Sequence, residues 1–157
     1  MKKMGLLLSA MLVLFLSACD VKNTPIPLQD SPLIGIWEGH AERVKDDLIQ
    51  IDRMYLEFTE EGYVAFQRVN CWAYEKDQPR LWKTKNFHID FMPIIKINME
   101  KITAQWMPLT PKLEFSLDAW PAAVDGVMRM TVDGLELQLT DTPSDRSAWG
   151  CAESVAH

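Results

Sequence analysis

The sequence predicts an all-β fold, a small antiparallel up-and-down β-barrel of eight to ten short strands, on three observations. After residue 32 no stretch sustains a helical stripe, period-two alternation recurs at strand length, and turn signals separate the alternating runs. Closure into a barrel follows because so many short strands would otherwise leave exposed edges.

Taken in order, Leu33 to Val44 alternates through Ile34, Ile36, Glu38, His40 and Glu42, and Ile49 to Phe58 through Met54, Leu56 and Phe58. Glu60-Glu61-Gly62 supplies a turn into Tyr63 to Tyr74, where Val64, Phe66, Arg68, Asn70, Trp72 and Tyr74 share one parity and both faces are partly apolar. Asp77-Gln78-Pro79 interrupts the pattern before Leu81 to Phe91, in which Leu81, Lys83, Lys85, Phe87, Ile89 and Phe91 share a face. Ile94 to Met99, Ile102 to Met107 and Leu113 to Leu117 read as further strands, and Asp118 to Asp125 as a short helical turn. Val127 to Val132, Asp133-Gly134 and Leu135 to Thr140 form the clearest hairpin, since Asp-Gly tolerates the two positive φ angles of a type I′ turn.

The start of the chain is of another kind. Lys2 and Lys3 precede a twelve-residue apolar run, Gly5 to Leu16, with Ser17 and Ala18 ahead of Cys19. Twelve helical residues rise only ~18 Å against a hydrocarbon core of ~30 Å, so the run suits a signal peptide better than a membrane span. Leu16-Ser17-Ala18-Cys19 resembles the lipobox of bacterial lipoproteins. The resemblance implies diacylglycerol on Cys19, cleavage before it, and a firm membrane anchor from two or more acyl chains. An aspartate after that cysteine, here Asp20, resembles the signal for retention at the inner membrane, so the expected address is its periplasmic face, with the outer membrane as the alternative. The expected organisation is therefore signal peptide 1–18, lipidated tether 19–32, with three prolines, and β-barrel domain 33–157.

Cleavage after residue 18 would leave 139 of the 157 residues, and loss of Lys2 and Lys3 from 16 basic groups would leave 14 against 22 acidic ones, a net charge of −8. Such a balance speaks against nucleic acid as a partner. With Cys19 acylated, Cys71 and Cys151 remain as an even pair in an oxidising compartment. A disulfide between them is expected, with two free thiols as the alternative. Closing a loop of roughly 80 residues would contribute up to ~4.5 kcal/mol in the chain-entropy account.

Gly35-Ile36-Trp37 at the start of the first strand resembles the Gly-x-Trp opening of lipocalin-like proteins. That resemblance implies a barrel whose closed end is plugged by Trp37 and whose interior takes an apolar or amphipathic ligand. A core aromatic without further role is the competing reading of Trp37.

Signals for chemistry are sparse. His40, His88 and His157 lack the spacing of a metal site, and there is no Gly-x-Ser-x-Gly, phosphate loop or Cys-x-x-Cys. Asp46-Asp47, Asp52 and Glu60-Glu61 lack the ordered spacing of a calcium loop. The six methionines after the signal peptide are scattered among apolar residues and suit packing better than copper binding. No metal, cofactor or catalytic residue is assigned, and an enzyme is not expected.

Six tryptophans in a small domain are the remaining signal, since such residues line cavities or anchor interfaces as well as fill cores. Gly35, Trp37, Phe66, Trp72, Trp82 and Trp106 are the candidates for barrel floor and lining. The expected function is a membrane-anchored, non-enzymatic binding module for an amphipathic small molecule or a protein segment. The alternative is an inhibitor or immunity lipoprotein that neutralises a toxic enzyme, motivated by the acidic surface and the tether.

Overall fold

The computed structural model describes residues 22–75, 82–149 and 151. Cys19 and Asp20 lie outside them. Eight strands follow one another: β1 (Gly35–Lys45), β2 (Leu48–Phe58), β3 (Tyr63–Tyr74), β4 (Lys83–Ile97), β5 (Lys101–Ala104), β6 (Leu113–Val124), β7 (Val127–Val132) and β8 (Leu135–Thr140), with a 3-10 turn at Arg146–Ala148. Each strand pairs antiparallel with the next and β8 closes on β1 through Ile36–Glu38 against Gln138–Thr140. The chain thus forms the expected closed up-and-down barrel.

Directly opposed residues share a face, so the register fixes which side chains look inward. Trp37, Leu56 and Phe66 stand in one row across β1, β2 and β3, and the interior they enter is filled by Met54, Phe58, Val64, Ile94, Ile102, Phe115, Met130, Val132 and Leu137. Each such side chain contributes ~1.5–3 kcal/mol by leaving water. Trp37 is fully buried at the floor, and its Nε1–H donates to the Leu33 carbonyl at 2.7 Å. The β7–β8 turn has the type I′ signature, with φ of 48° at Asp133 and 74° at Gly134.

Besides the merging of the runs Leu81 to Phe91 and Ile94 to Met99 into one strand, β4, that continues through Pro93, three sequence expectations change. The segment read as a tether is packed against the barrel from Asn23 onward: the N–H groups of Asn23, Ile26 and Leu28 donate to the carbonyls of Trp106, Ile94 and Glu60 at 3.1, 2.8 and 2.9 Å. Pro25 and Pro27, which suggested a linker, alternate with those donors and lack only N–H groups that would face away from the barrel. Leu28 and Leu33 are buried, and at Gly62 a Cβ would lie 2.0 Å from the Ile26 carbonyl oxygen, so only glycine permits this approach. Secondly, Asp118 to Asp125 holds no helical turn. β6 runs through to Val124, and register shifts against β7 between Leu117 and Ala122 accommodate Pro121. Thirdly, the run from Ile102 stops as a strand at Ala104, because the Gln105 side chain donates to the carbonyls of Pro108 and Thr110 and turns the chain.

The barrel wall is uneven. β1 to β4 have 11, 11, 12 and 15 residues and β6 has 12, whereas β5, β7 and β8 have 4, 6 and 6. Because β1 pairs with β8 only through Ile36–Glu38 and β4 with β5 only through Ile94–Ile97, the rest of β1 to β4 rises past the mouth as a sheet. Its outer face is covered by the C-terminal segment, where Ile51, Val69, Cys71 and Cys151 form a second buried cluster with Trp82 and Trp149 against it. Cys71 and Cys151 are joined in the expected disulfide, with Cα atoms 5.5 Å apart and a separation of 80 positions in sequence. Arg146 stacks its guanidinium 3.8 Å from the centre of the Tyr55 ring, and Ser144 donates from N–H and Oγ to Glu38.

Candidate functional site

The inner face of the long sheet carries four register rows of graded polarity. Deepest is Trp37, Leu56, Phe66 and Ile89; next are Gly39, Met54, Arg68 and Phe87; then Ala41, Asp52, Asn70 and Lys85; and highest Arg43, Gln50, Trp72 and Lys83. The rows pass from wholly apolar within the barrel to polar and basic above its mouth. A cavity of about 440 Å³ crosses the gradient, lined by Phe66, Arg68, Asn70, Lys85 and Phe87. That size lies within the range of small-molecule sites.

Aromatic contacts tie the floor of this cavity to the core. The Phe66 ring packs edge-on to Phe115 at 5.1 Å and meets Phe87 at 5.8 Å, so Phe87, 45% exposed, presents a ring held from beneath. Above it, Arg68 donates through Nε and Nη2 to the two oxygens of buried Asp52, at 2.9 and 2.6 Å. The bidentate pair fixes the guanidinium, and hydrogen bonding to Asp52 holds the Arg68 pKa above its usual value despite opposing desolvation. Its Nη1 faces Asp133 on the β7–β8 turn at 3.8 Å, while Arg43 donates to the Gly134 carbonyl at 3.1 Å. Both arginines thus lean from the tall wall over the short one.

The sign of this face runs against that of the whole chain. Arg43, Arg68, Lys83 and Lys85 gather there with Asp52 and Asp133 as the carboxylates, in a protein of net charge −6. Lys83 and Lys85 are exposed, and neither is engaged by a carboxylate among the described contacts. A negatively charged group placed near the cavity rim would meet Lys85 and the outer side of Arg68.

Beside the cavity, β4 from Lys83 to Phe91 pairs with β3 on one side only, because β5 takes up β4 at Ile94 to Ile97. Among the described residues this edge has no strand on its other side. A second groove of about 470 Å³ lies between β1 and β8, where His40 and Arg43 face Gly134, Leu135 and Glu136.

The residues singled out from sequence are dispersed across the molecule. Gly35 and Trp37 form the floor, Phe66 lines the cavity, and Trp72 stands half-buried in the top row. Trp82 instead packs on the outer face beside the disulfide, and Trp106 stands exposed on the β5–β6 loop, so neither belongs to the lining. Arg68, Lys85 and Phe87, which line the cavity, and Asp52, which holds Arg68, are not among these sequence candidates. Their signal was present as a change of polarity within a single parity, from Val64 and Phe66 to Arg68 and Asn70 in β3 and from Phe87 to Lys85 and Lys83 in β4. His88 is exposed with Nε2 3.5 Å from Asp90, and among the described residues no group of three His, Cys, Asp or Glu side chains forms a metal site. No family model, curated protein or solved structure matches this chain.

Proposed function

We propose that the protein is a membrane-anchored, non-enzymatic binding module of the periplasm that holds an amphipathic molecule with an acidic head. The carrying observation is the polarity gradient: Phe66 and Phe87 offer an apolar surface that merges with the core, and Lys85, Lys83 and Arg68 ring its upper side. An acyl chain directed downward would bury apolar area, and a carboxylate or phosphate at the rim would meet cations without stripping Arg68 from Asp52. The lipobox-like Leu16 to Cys19 supports acylation, Asp20 supports the inner membrane, and the Cys71–Cys151 disulfide suits an oxidising compartment.

Titrating the chain from Asp20 onward with long-chain fatty acids, followed by tryptophan fluorescence, tests the reading. Saturable change is expected, and it should shrink in Trp72→Phe, whose indole stands in the top row. Absence of any saturable signal with acids of several lengths would overturn it.

A second reading rests on the β4 edge. An extended protein segment added along Lys83 to Phe91 would continue the sheet by main-chain hydrogen bonds, as in strand-addition complexes. The protein would then act as an inhibitor or immunity lipoprotein against a toxic enzyme. Recovery of one stoichiometric enzyme on the immobilised chain, lost on Asn86→Pro at this edge, distinguishes it from the first.

A further inference from the structure

The chain leading from Cys19 meets the barrel at a loop that carries exposed apolar side chains, among them Leu109, the most exposed large hydrophobic of the described residues. Asn23 donates its backbone N–H to the Trp106 carbonyl at 3.1 Å, and its side-chain amide to the Gln105 carbonyl at 2.9 Å. Cys19 is four residues upstream, so a fully extended chain puts its sulfur-bearing residue no further than ~14 Å from this clamp. The clamped loop carries Trp106, Met107 and Leu109, which are 41, 39 and 100% exposed, and Ile26, also exposed, lies three residues beyond Asn23.

This loop is built to hold its shape. Buried Gln105 donates from Nε2 to the carbonyls of Pro108 and Thr110 at 3.2 and 2.7 Å, and the Thr110 N–H and Oγ1 donate to the Met107 carbonyl at 3.0 and 2.9 Å. Three carbonyls at the tip thus have partners inside the protein. A shallow entry into a bilayer would not leave them unsatisfied, which is the usual obstacle to inserting irregular backbone. Trp at the head-group level with Leu and Met deeper is the arrangement a membrane interface favours; Lys112 ends the loop, and Lys22 directly precedes the clamped Asn23 in sequence.

We infer that the β5–β6 loop is a membrane-docking tip: Trp106, Met107 and Leu109 enter the leaflet that holds the acyl chains of Cys19, and so fix the barrel's orientation on the bilayer. The inference rests on the lipoprotein reading. Attraction is apolar, since the acidic chain gains little from anionic head groups. The docked loop converts a single-point anchor into a two-point attachment with a defined tilt.

The test uses the full acylated protein in vesicles of phosphatidylethanolamine and phosphatidylglycerol. An environment-sensitive fluorophore is attached at Leu109→Cys and, as a control, at Val44→Cys on the β1 end, where Val44 is 62% exposed. Labelling without reductant preserves Cys71–Cys151. With nitroxide on the lipid chains, the probe at 109 should be quenched about threefold more strongly than the probe at 44, and its emission should shift to the blue. Equal quenching at both positions in a protein whose acylation is verified by mass overturns the tip alone. A chain that carries no acyl mass and leaves the membrane fraction overturns the anchor reading and the tip with it. A blue shift at 109 that persists without vesicles and depends on protein concentration assigns the patch to a second copy of the chain, and also overturns the proposal.

Discussion

The lower and upper halves of β2 and β3 use opposite faces of the same strands. Within the barrel, Met54, Leu56, Phe58, Val64 and Phe66 point inward and are buried. Higher up, the buried apolar residues Ile49, Ile51, Val69, Cys71 and Ala73 are on the outer face, while the inner positions turn to Gln50, Asp52, Arg68, Asn70 and Trp72, of which Asp52 is buried by its pairing with Arg68. The lower half hides its inward apolar side chains within the closed barrel, and on its outer face Tyr55, under Arg146, and Ala65 are buried as well. The upper half needs a cover, which the disulfide-tethered segment ending at Cys151 provides on the outside. With its apolar residues served from behind, the inner face is free to carry charge. A site of mixed polarity above a dry core is the result.

Removing the cover should break the comparison most. Cys71→Ser with Cys151→Ser is expected to lower stability by about 3 kcal/mol, as for a disulfide closing a long loop. Amide exchange should rise at Val69 to Ala73 and much less at Leu56 or Val64; uniform loosening of both halves would contradict the division.

A smaller effect is expected from the ion pair. Asp52→Ala removes both hydrogen bonds of the bidentate pair and leaves Arg68 only the more distant Asp133 carboxylate, at a cost of about 2 kcal/mol, reduced from the fully buried case because the arginine is partly exposed. Asp52→Leu with Arg68→Met should recover much of that loss in a denaturant midpoint yet weaken binding of an acidic ligand, separating the stability of the rim from its recognition.

The smallest effect concerns pH. Burial, followed by its hydrogen bond to Glu57, pushes the Tyr55 hydroxyl well above its ordinary value of 10.0. The fold therefore favours the protonated phenol, and this contribution is intact below pH 10 and is lost as pH rises beyond it, where the unfolded chain ionises first. Spectrophotometric titration should find one of the three tyrosines resisting ionisation until the chain unfolds, and Tyr55→Phe should remove that group.

Much of the frame was readable from residues alone. The alternation in β1 to β3, the Asp133-Gly134 turn and the Cys71–Cys151 pairing each rest on a local or pairwise rule, and the structure bears them out. What escaped depends on tertiary placement. Pro25 and Pro27 signal a linker unless one knows that Ile26 and Leu28 have carbonyls waiting for their N–H groups. Trp82 and Trp106 have the composition of lining residues, but the side of the wall they occupy follows from how far β4 and β5 extend. The site itself was hidden because both faces of β3 are apolar somewhere along its length, so hydrophobicity summed over the strand obscures the exchange of faces halfway up.

The central claim is that this exchange leaves a binding surface graded from apolar to basic. Its most direct test measures the affinities of a fatty acid and of the alcohol of equal chain length for the wild type and for Lys85→Glu. The account predicts that the wild type prefers the acid by about tenfold, a difference of ~1.4 kcal/mol, and that the charge reversal abolishes the preference while alcohol binding persists. Equal affinity of the wild type for acid and alcohol, or an acid preference that survives Lys85→Glu, would contradict it.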